Sequence, residues 1–314
     1  MTKEKTDAIV VKCVEFSESS FVVALFTRNF GLIRGLAKGA RRPKNPFENS
    51  LDLLASIKLS FLRKNSDALD LLTEAKLARR FKPTARNLPG LDAGYYLAEL
   101  LDYGMQEYAP FPDLWTLADA TLDAFANRDA APLRLAAFEA FMLEALGEFP
   151  AIRFCAECGR ELPLDAIVKL DRRIWFEFAS GGVLCSPCLA RARRPDLFPT
   201  TAGALKALER AQNAAAELAR SAQTYERDAA RVDAIDATGK LFATEIDALR
   251  QAARNDRDAR EEDALAPFAQ TPKDARDDLR KLLDYCVSRL LHRRPRAADA
   301  LARALRDLET PQRA

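Results

Sequence analysis

A single histidine, His292, serves the whole chain of 314 residues. It stands beside Arg293 and Arg294, the setting of an ordinary surface histidine, and no Ser/His/Asp or Cys/His set assembles around it. The chain also lacks a Gly-x-x-x-x-Gly-Lys-Ser/Thr phosphate loop and a Gly-x-Gly-x-x-Gly turn after a strand. No apolar run approaches the roughly 20 residues of a membrane span. The start, MTKEKTDAIVVK, has neither the apolar stretch nor the cleavage pattern of a secretory leader, so the expectation is a cytoplasmic chain with reduced thiols. Nothing in these absences calls for an enzyme.

What is present is a soluble composition, 48% hydrophobic and 30% charged, with a formal net charge of only +2. That near-neutrality hides an uneven spread. Residues 1–80 hold 15 Lys/Arg against 9 Asp/Glu, net +6, and residues 81–150 hold 4 against 11, net −7. Such asymmetry suits one face for a polyanion and another kept away from it. The densest positive run is LAKGARRPKNPF. Lys38, Arg41, Arg42 and Lys44 crowd into seven positions, bounded by Gly35, Gly39, Pro43 and Pro46. Without neighbouring acids these cations repel one another, and phosphate would relieve that repulsion. Phe30 and Phe47 are the aromatics placed to stack on bases. The plainer reading is a solvated loop with no partner.

Residues 7–80 read as short strands rich in Val, Ile and Phe. Turns are expected at Asn29-Phe30-Gly31 and at Asn65-Ser66-Asp67, and Leu53, Ala55, Ile57, Leu59 and Phe61 alternate with mostly polar neighbours. This fits a small closed barrel or a sandwich. From about residue 88 the period becomes helical. Leu135, Phe138, Met142 and Leu146 share one stripe, and Leu279, Leu282, Leu283, Cys286 and Leu290 share another. Both stripes are expected to be core. Residues 209–263 are rich in Ala and charge, helical by propensity but weakly amphipathic, and read as an exposed or mobile insertion.

Four of the six cysteines form two knuckles, Cys155-x-x-Cys158 and Cys185-x-x-Cys188, with Gly159 after the first and Gly181-Gly182 before the second. Four soft ligands in two turns suit a tetrahedral Zn²⁺. A redox role, suggested by Pro187 inside the second knuckle, accounts for one pair and leaves the other idle. A four-thiolate site keeps no open position for catalytic water, so the expectation is one structural zinc ion. Cys286 is expected to be a buried inert thiol, and Cys13 is assigned nothing.

The run TDAIVVKCVEFSESSFVVALFTRNFGLIRGLAKGARRPKNPF is similar to the N-terminal domain of the bacterial RecO family of DNA repair proteins. The match lies at Glu18-Ser19, Thr27, Gly31, Gly35, Ala37, Lys38, Gly39, Ala40, Arg41, Arg42 and Pro43. It continues through LTEAKLARRF, LDAGYYLAELLDYG, the knuckles with FEFASGGVLCSPC, and LDYCVSRLLHRRPRAADAL, leaving out 209–270. The resemblance implies an α+β chain: an OB-fold barrel over 1–82, a helical domain over 83–150 and 201–314, and a zinc-finger element over 151–200. It implies a nucleoid-associated recombination mediator that binds single- and double-stranded DNA and anneals complementary strands. Its implied partners are single-stranded DNA-binding protein and RecR, with which it helps load RecA. Arg34, Lys38, Arg41, Arg42 and Lys44 match the DNA-facing barrel segment, and Arg289, Arg293, Arg294 and Arg296 would extend it. The readings from other classes are a zinc-ribbon factor for RNA or polymerase, and a nuclease, which would need clustered carboxylates for Mg²⁺.

Overall fold

The structure, a computed structural model, describes residues 2–309 except 48–49, 65–67, 85–86, 128–130, 169–172, 192–195 and 238–241, with the backbone alone described at 168 and 305–309. The turn expected at 65–67 lies outside the described residues. The chain folds as two compact units, residues 1–135 with 294–314, and residues 136–293. The barrel and the first helices thus fall in one unit, and the cysteine element and the long helices in the other.

The first unit is built on five strands: β1 (Thr2–Ser17), β2 (Ser20–Thr27), β3 (Gly31–Ala37), β4 (Ser56–Arg63) and β5 (Asp70–Arg79). They close into a barrel in the order β1-β2-β3-β5-β4, antiparallel except where β3 meets β5. This settles barrel against sandwich, and it is the five-stranded order of an OB-fold. The period-2 pattern decides what fills it. Ala8, Val10, Val23, Leu25, Ile33, Ile57, Leu59, Phe61 and Leu72 point inward and are buried. The expected alternation begins two residues late, at buried Ala55. β4 starts at Ser56, and Leu53 lies before it, exposed. Gly31 makes the β2–β3 turn at φ 67°, and a Cβ there would lie 2.1 Å from the Ala109 carbonyl oxygen.

Helices α1 (Leu88–Gly104) and α2 (Pro112–Asn127) cover part of the barrel's outer face. Asn87 caps α1, its side chain accepting from Gly90 N at 2.9 Å. Trp115 Nε1 donates to the Phe26 carbonyl at 3.1 Å, closing α2 onto β2. Under this cover the outward residues Ile9, Phe26 and Leu32 are buried. The last helix of the chain, Ala298–Glu309, packs on α1.

Helix α3 (Ala131–Ala145) runs from the first unit into the second. Its expected stripe is core: Leu135, Phe138 and Met142 are buried, and Leu146 falls beyond the helix end. The second unit continues with α4 (Leu164–Val168), β6 (Arg173–Glu177), β7 (Gly182–Leu184), α5 (Ser186–Arg191) and β8 (Phe198–Thr201), the three strands forming a sheet in the order β7-β6-β8. Then follow α6 (Ala202–Asp236), α7 (Ala243–Ala269) and α8 (Lys273–Leu290). Leu279, Leu282, Leu283 and Cys286 of α8 are buried as expected. Glu139 of α3, wholly buried, is held by two bonds from Arg280 of α8 at 2.6 and 2.7 Å. A buried carboxylate needs such a partner to stay charged.

The insertion expected at 209–270 needs correcting at its start. Residues 209–222 belong to α6, and Ala211, Ala214, Ala215, Leu218, Ala219 and Ala222 are buried there. Alanines bury little area each and leave a weak hydropathy signal, yet they let helices approach closely. Past residue 222 most residues of α6 and its antiparallel partner α7 are exposed, with Val232 and Ile246 among the few apolar side chains buried there.

Candidate nucleic-acid interface and metal centre

The basic segment is the connector between β3 and β4, and its backbone is tied at several points. Gly39 takes φ 76° and its N–H donates to Ser20 Oγ at 3.3 Å. Arg41 N donates to the Ser19 carbonyl at 3.2 Å, which pins the connector to the β1–β2 turn. Asn45 closes the far end, donating to the Arg42 carbonyl at 2.8 Å and accepting from Phe47 N at 2.8 Å. Phe47 is 2% exposed and plugs the barrel core. It therefore cannot stack on bases, which corrects the sequence expectation. Phe30 is half-buried and meets Phe61 edge to face at 5.4 Å, so it too is turned toward the core.

On this tied backbone Lys38, Arg41, Arg42 and Lys44 are all exposed. Arg41 lies 3.0 Å from Glu15 Oε2 and 5.9 Å from the Phe21 ring centroid. Lys38, Arg42 and Lys44 have no carboxylate partner among the described residues. Lys44 adopts φ 55°, a left-handed conformation that costs a non-glycine residue about 1–2 kcal/mol. Phe21, Arg41, Arg42 and Lys44 border an open depression of about 560 Å³. Phe21, half-buried and packed against the barrel core like Phe30, is the aromatic at this depression that sequence reasoning missed. It opens β2 directly after a turn, and only the strand register shows it beside the connector, opposite Glu15.

Arg34 behaves differently. It bonds Asp102 at 2.9 Å and Glu107 at 2.9 Å, and Asp102 also takes Lys12 at 3.3 Å. It joins barrel to helix α1 and is already neutralised. Of the C-terminal cations, Arg289 pairs with Asp196 at 2.5 Å and Arg294 with Asp299 at 3.0 Å. His292 is exposed, as expected of a surface histidine.

The four knuckle cysteines converge. Their sulfurs all lie within 4.8 Å of one another, and Cys158 and Cys185 are 3.6 Å apart. A tetrahedral ion with sulfur ligands at about 2.3 Å sets an edge of about 3.8 Å between sulfurs, so the cluster fits such an ion. All four are free thiols, not disulfides. Gly159 at φ 66° lets the first knuckle turn, its N–H donating to the Cys155 carbonyl at 2.9 Å. Strand β7 delivers Cys185, and α5 carries Cys188. A Cβ at Gly182 would sit 2.2 Å from the Ala151 carbonyl oxygen, so glycine permits the approach that aligns the knuckles. Burial alone would raise the Cys155 thiol, but N–H donors from Cys185, Cys158 and Glu157 bring it down to about 6. The Cys185 and Cys158 thiols push Cys188 up to about 12. Four thiols this close cannot all ionise by themselves, and a cation at their centre removes that conflict. The remaining two cysteines sit apart from this cluster. Burial raises Cys286 to about 12, consistent with an inert thiol, and half-buried Cys13 to about 11.

Most of the chain is similar to known proteins. Residues 1–81 match the family model for the N-terminal part of recombination protein O, and residues 87–232 match the model for its C-terminal part. The chain belongs to the RecO family. It is 40% identical over 201 residues to the DNA repair protein RecO of Rhodopirellula baltica, a match covering 64% of this chain and 72% of that one. It is 30% identical over 204 residues to RecO of Syntrophus aciditrophicus, covering 65% and 76%, and 32% identical over 188 residues to RecO of Geobacter metallireducens, covering 60% and 73%. RecO membership supports a role in DNA repair and recombination. The C-terminal match runs to residue 232, well past the 209 at which the insertion was expected to begin. Among the described residues no helix is long and apolar enough to cross a membrane.

Proposed function

We propose that this RecO-family chain acts by binding and not by catalysis. The β3–β4 connector holds DNA phosphates through Lys38, Arg41, Arg42 and Lys44 on single and double strands alike. Annealing follows from the same chemistry. A cationic surface lowers the repulsion between two complementary polyanions and leaves their base edges free to pair. The observation that carries this reading is the tied backbone under exposed cations, three of which lack a carboxylate among the described residues. Arg34 is left out of the phosphate set because Asp102 and Glu107 already hold it.

The family resemblance extends the reading to partners: single-stranded DNA-binding protein on coated strands, and RecR for loading RecA. The metal is Zn²⁺, bound once by Cys155, Cys158, Cys185 and Cys188, with a structural role because four protein thiolates leave no position for a reacting water.

Replacing Lys38, Arg41, Arg42 and Lys44 by alanine tests the central claim. Binding should weaken evenly across sequences, and the dependence of log affinity on log salt should flatten by up to about 0.7 per lost contact on single strands. Annealing of labelled complementary strands should slow in parallel. An unchanged salt slope would remove the connector from the interface.

A further inference from the structure

The four knuckle cysteines do not meet solvent equally. Cys155, Cys185 and Cys188 are 2%, 5% and 7% exposed and pack together with Leu184, whereas Cys158 is exposed. The turn that carries Cys158 is open as well. Gly159, directly after it, has nothing within 4 Å of the place a Cβ would take. One ligand of the site therefore faces solution while three stand behind it. A thiolate that binds a metal is still a nucleophile, and its oxidation follows its access to the oxidant.

A second sulfur waits behind the first. Cys185 Sγ lies 3.6 Å from Cys158 Sγ, at van der Waals contact, and it comes from the other knuckle. Cys155 Sγ is engaged elsewhere. It accepts the N–H of Cys185 at 3.4 Å, which draws charge away from it. We propose that Cys158 senses peroxide and Cys185 resolves it, so that oxidation replaces the metal by a disulfide between the two knuckles. The Cys158 thiolate attacks one oxygen of hydrogen peroxide and the O–O bond breaks. Cys158 becomes a sulfenic acid, and the other oxygen leaves as hydroxide and takes a proton to become water. The Cys185 thiolate then attacks the Cys158 sulfur. The S–S bond forms, the S–O bond breaks, and a second hydroxide leaves and is protonated to water. Two thiolates thus lose two electrons, and one peroxide gains them with two protons. Cys155 and Cys188 alone are too few to hold the ion, and the chain lets it go. The new bond ties residue 158 to residue 185 across the site, unlike a redox pair inside one Cys-x-x-Cys. The proposal rests on the reading of the four cysteines as a zinc site, and it adds a reversible response to oxidant.

The test uses the full chain. Elemental analysis comes first. A chain that neither holds nor takes up zinc removes the zinc reading, and this proposal with it. On the zinc-loaded chain, hydrogen peroxide should release about one ion per chain to a chromogenic chelator. Peptide mapping after blocking of free thiols should find Cys158 joined to Cys185, with Cys13 and Cys286 still reduced. Dithiothreitol with added zinc should reverse both readings. Cys158→His keeps four ligands in a set that zinc commonly takes and removes the exposed nucleophile, so peroxide should release its zinc roughly tenfold more slowly or less. A bond inside either knuckle, Cys158 over-oxidised with no bond formed, or equally fast release from Cys158→His would overturn the proposal and leave the zinc site standing. If the histidine variant takes up no zinc, the bond mapped in the unaltered chain decides.

Discussion

The connector at residues 38–47 and the two cysteine knuckles, at 155–159 and 181–188, are both built on turns, and each is held in place by a different kind of contact. The connector is tied to its barrel by backbone hydrogen bonds to Ser19 and Ser20 and by Phe47 inserted among Val23, Ile33, Phe61 and their neighbours. The cysteine element has a small apolar cluster of its own, in which Cys155, Cys185 and Cys188 are themselves core members beside Leu184. One segment draws its order from a large hydrophobic core nearby. The other has little core of its own, and an ion at its four cysteines would supply the order that the core does not. A loop fixed by the core is free to spend its side chains on solvent, which is why its cations stand outward.

Removing the metal is the sharpest way to break that comparison. Structural zinc contributes on the order of 10 kcal/mol to small domains of this kind. Chelation, or Cys155→Ser, should abolish metal in an elemental analysis and open residues 151–191 to protease, while the barrel keeps its strand binding. Acidification should release the metal as well, since protons compete for thiolates. Equal protease resistance with and without metal would put the two segments in the same class.

The mirror experiment, Phe47→Ala, should destabilise the barrel by about 3–5 kcal/mol in denaturant melts, through the cavity it leaves, and leave metal content unchanged. Arg34→Ala comes next. It strips buried Asp102 of one of its two cations, and a cost of about 1–3 kcal/mol is expected. The salt slope of DNA binding should stay put, which separates Arg34 from the exposed cations. The smallest effect is expected for Arg41→Ala. Its pairing with Glu15 is solvent-exposed, so stability should change by less than about 1 kcal/mol, while affinity for DNA drops.

Much of this was legible beforehand because it depends on local spacing. Two Cys-x-x-Cys knuckles mark four sulfurs that could converge on one ion, and glycines at 159 and 182 sit where the turns demand them. The cation run is equally local. The misreadings share a cause: each turned on which way a side chain points. Phe47 looked like a stacking aromatic and became a core plug, because the connector folds back over the barrel mouth. Arg34 looked like one more cation and became a partner of Asp102, which lies 68 positions further along a helix. The alanine-rich stretch after residue 209 read as an exposed or mobile insertion, and its alanines up to Ala222 are buried in α6.

By itself, then, the sequence determined the strand and helix periods, the four soft donors that could hold an ion and the sign of the charge on the connector, since each depends on residue type at short range. Tertiary structure alone decided which cations have a carboxylate partner among the described residues and which aromatics pack into the core. Strand register and helix docking bring together residues far apart in the chain, and only those long-range contacts separate a buried or neutralised group from an exposed one.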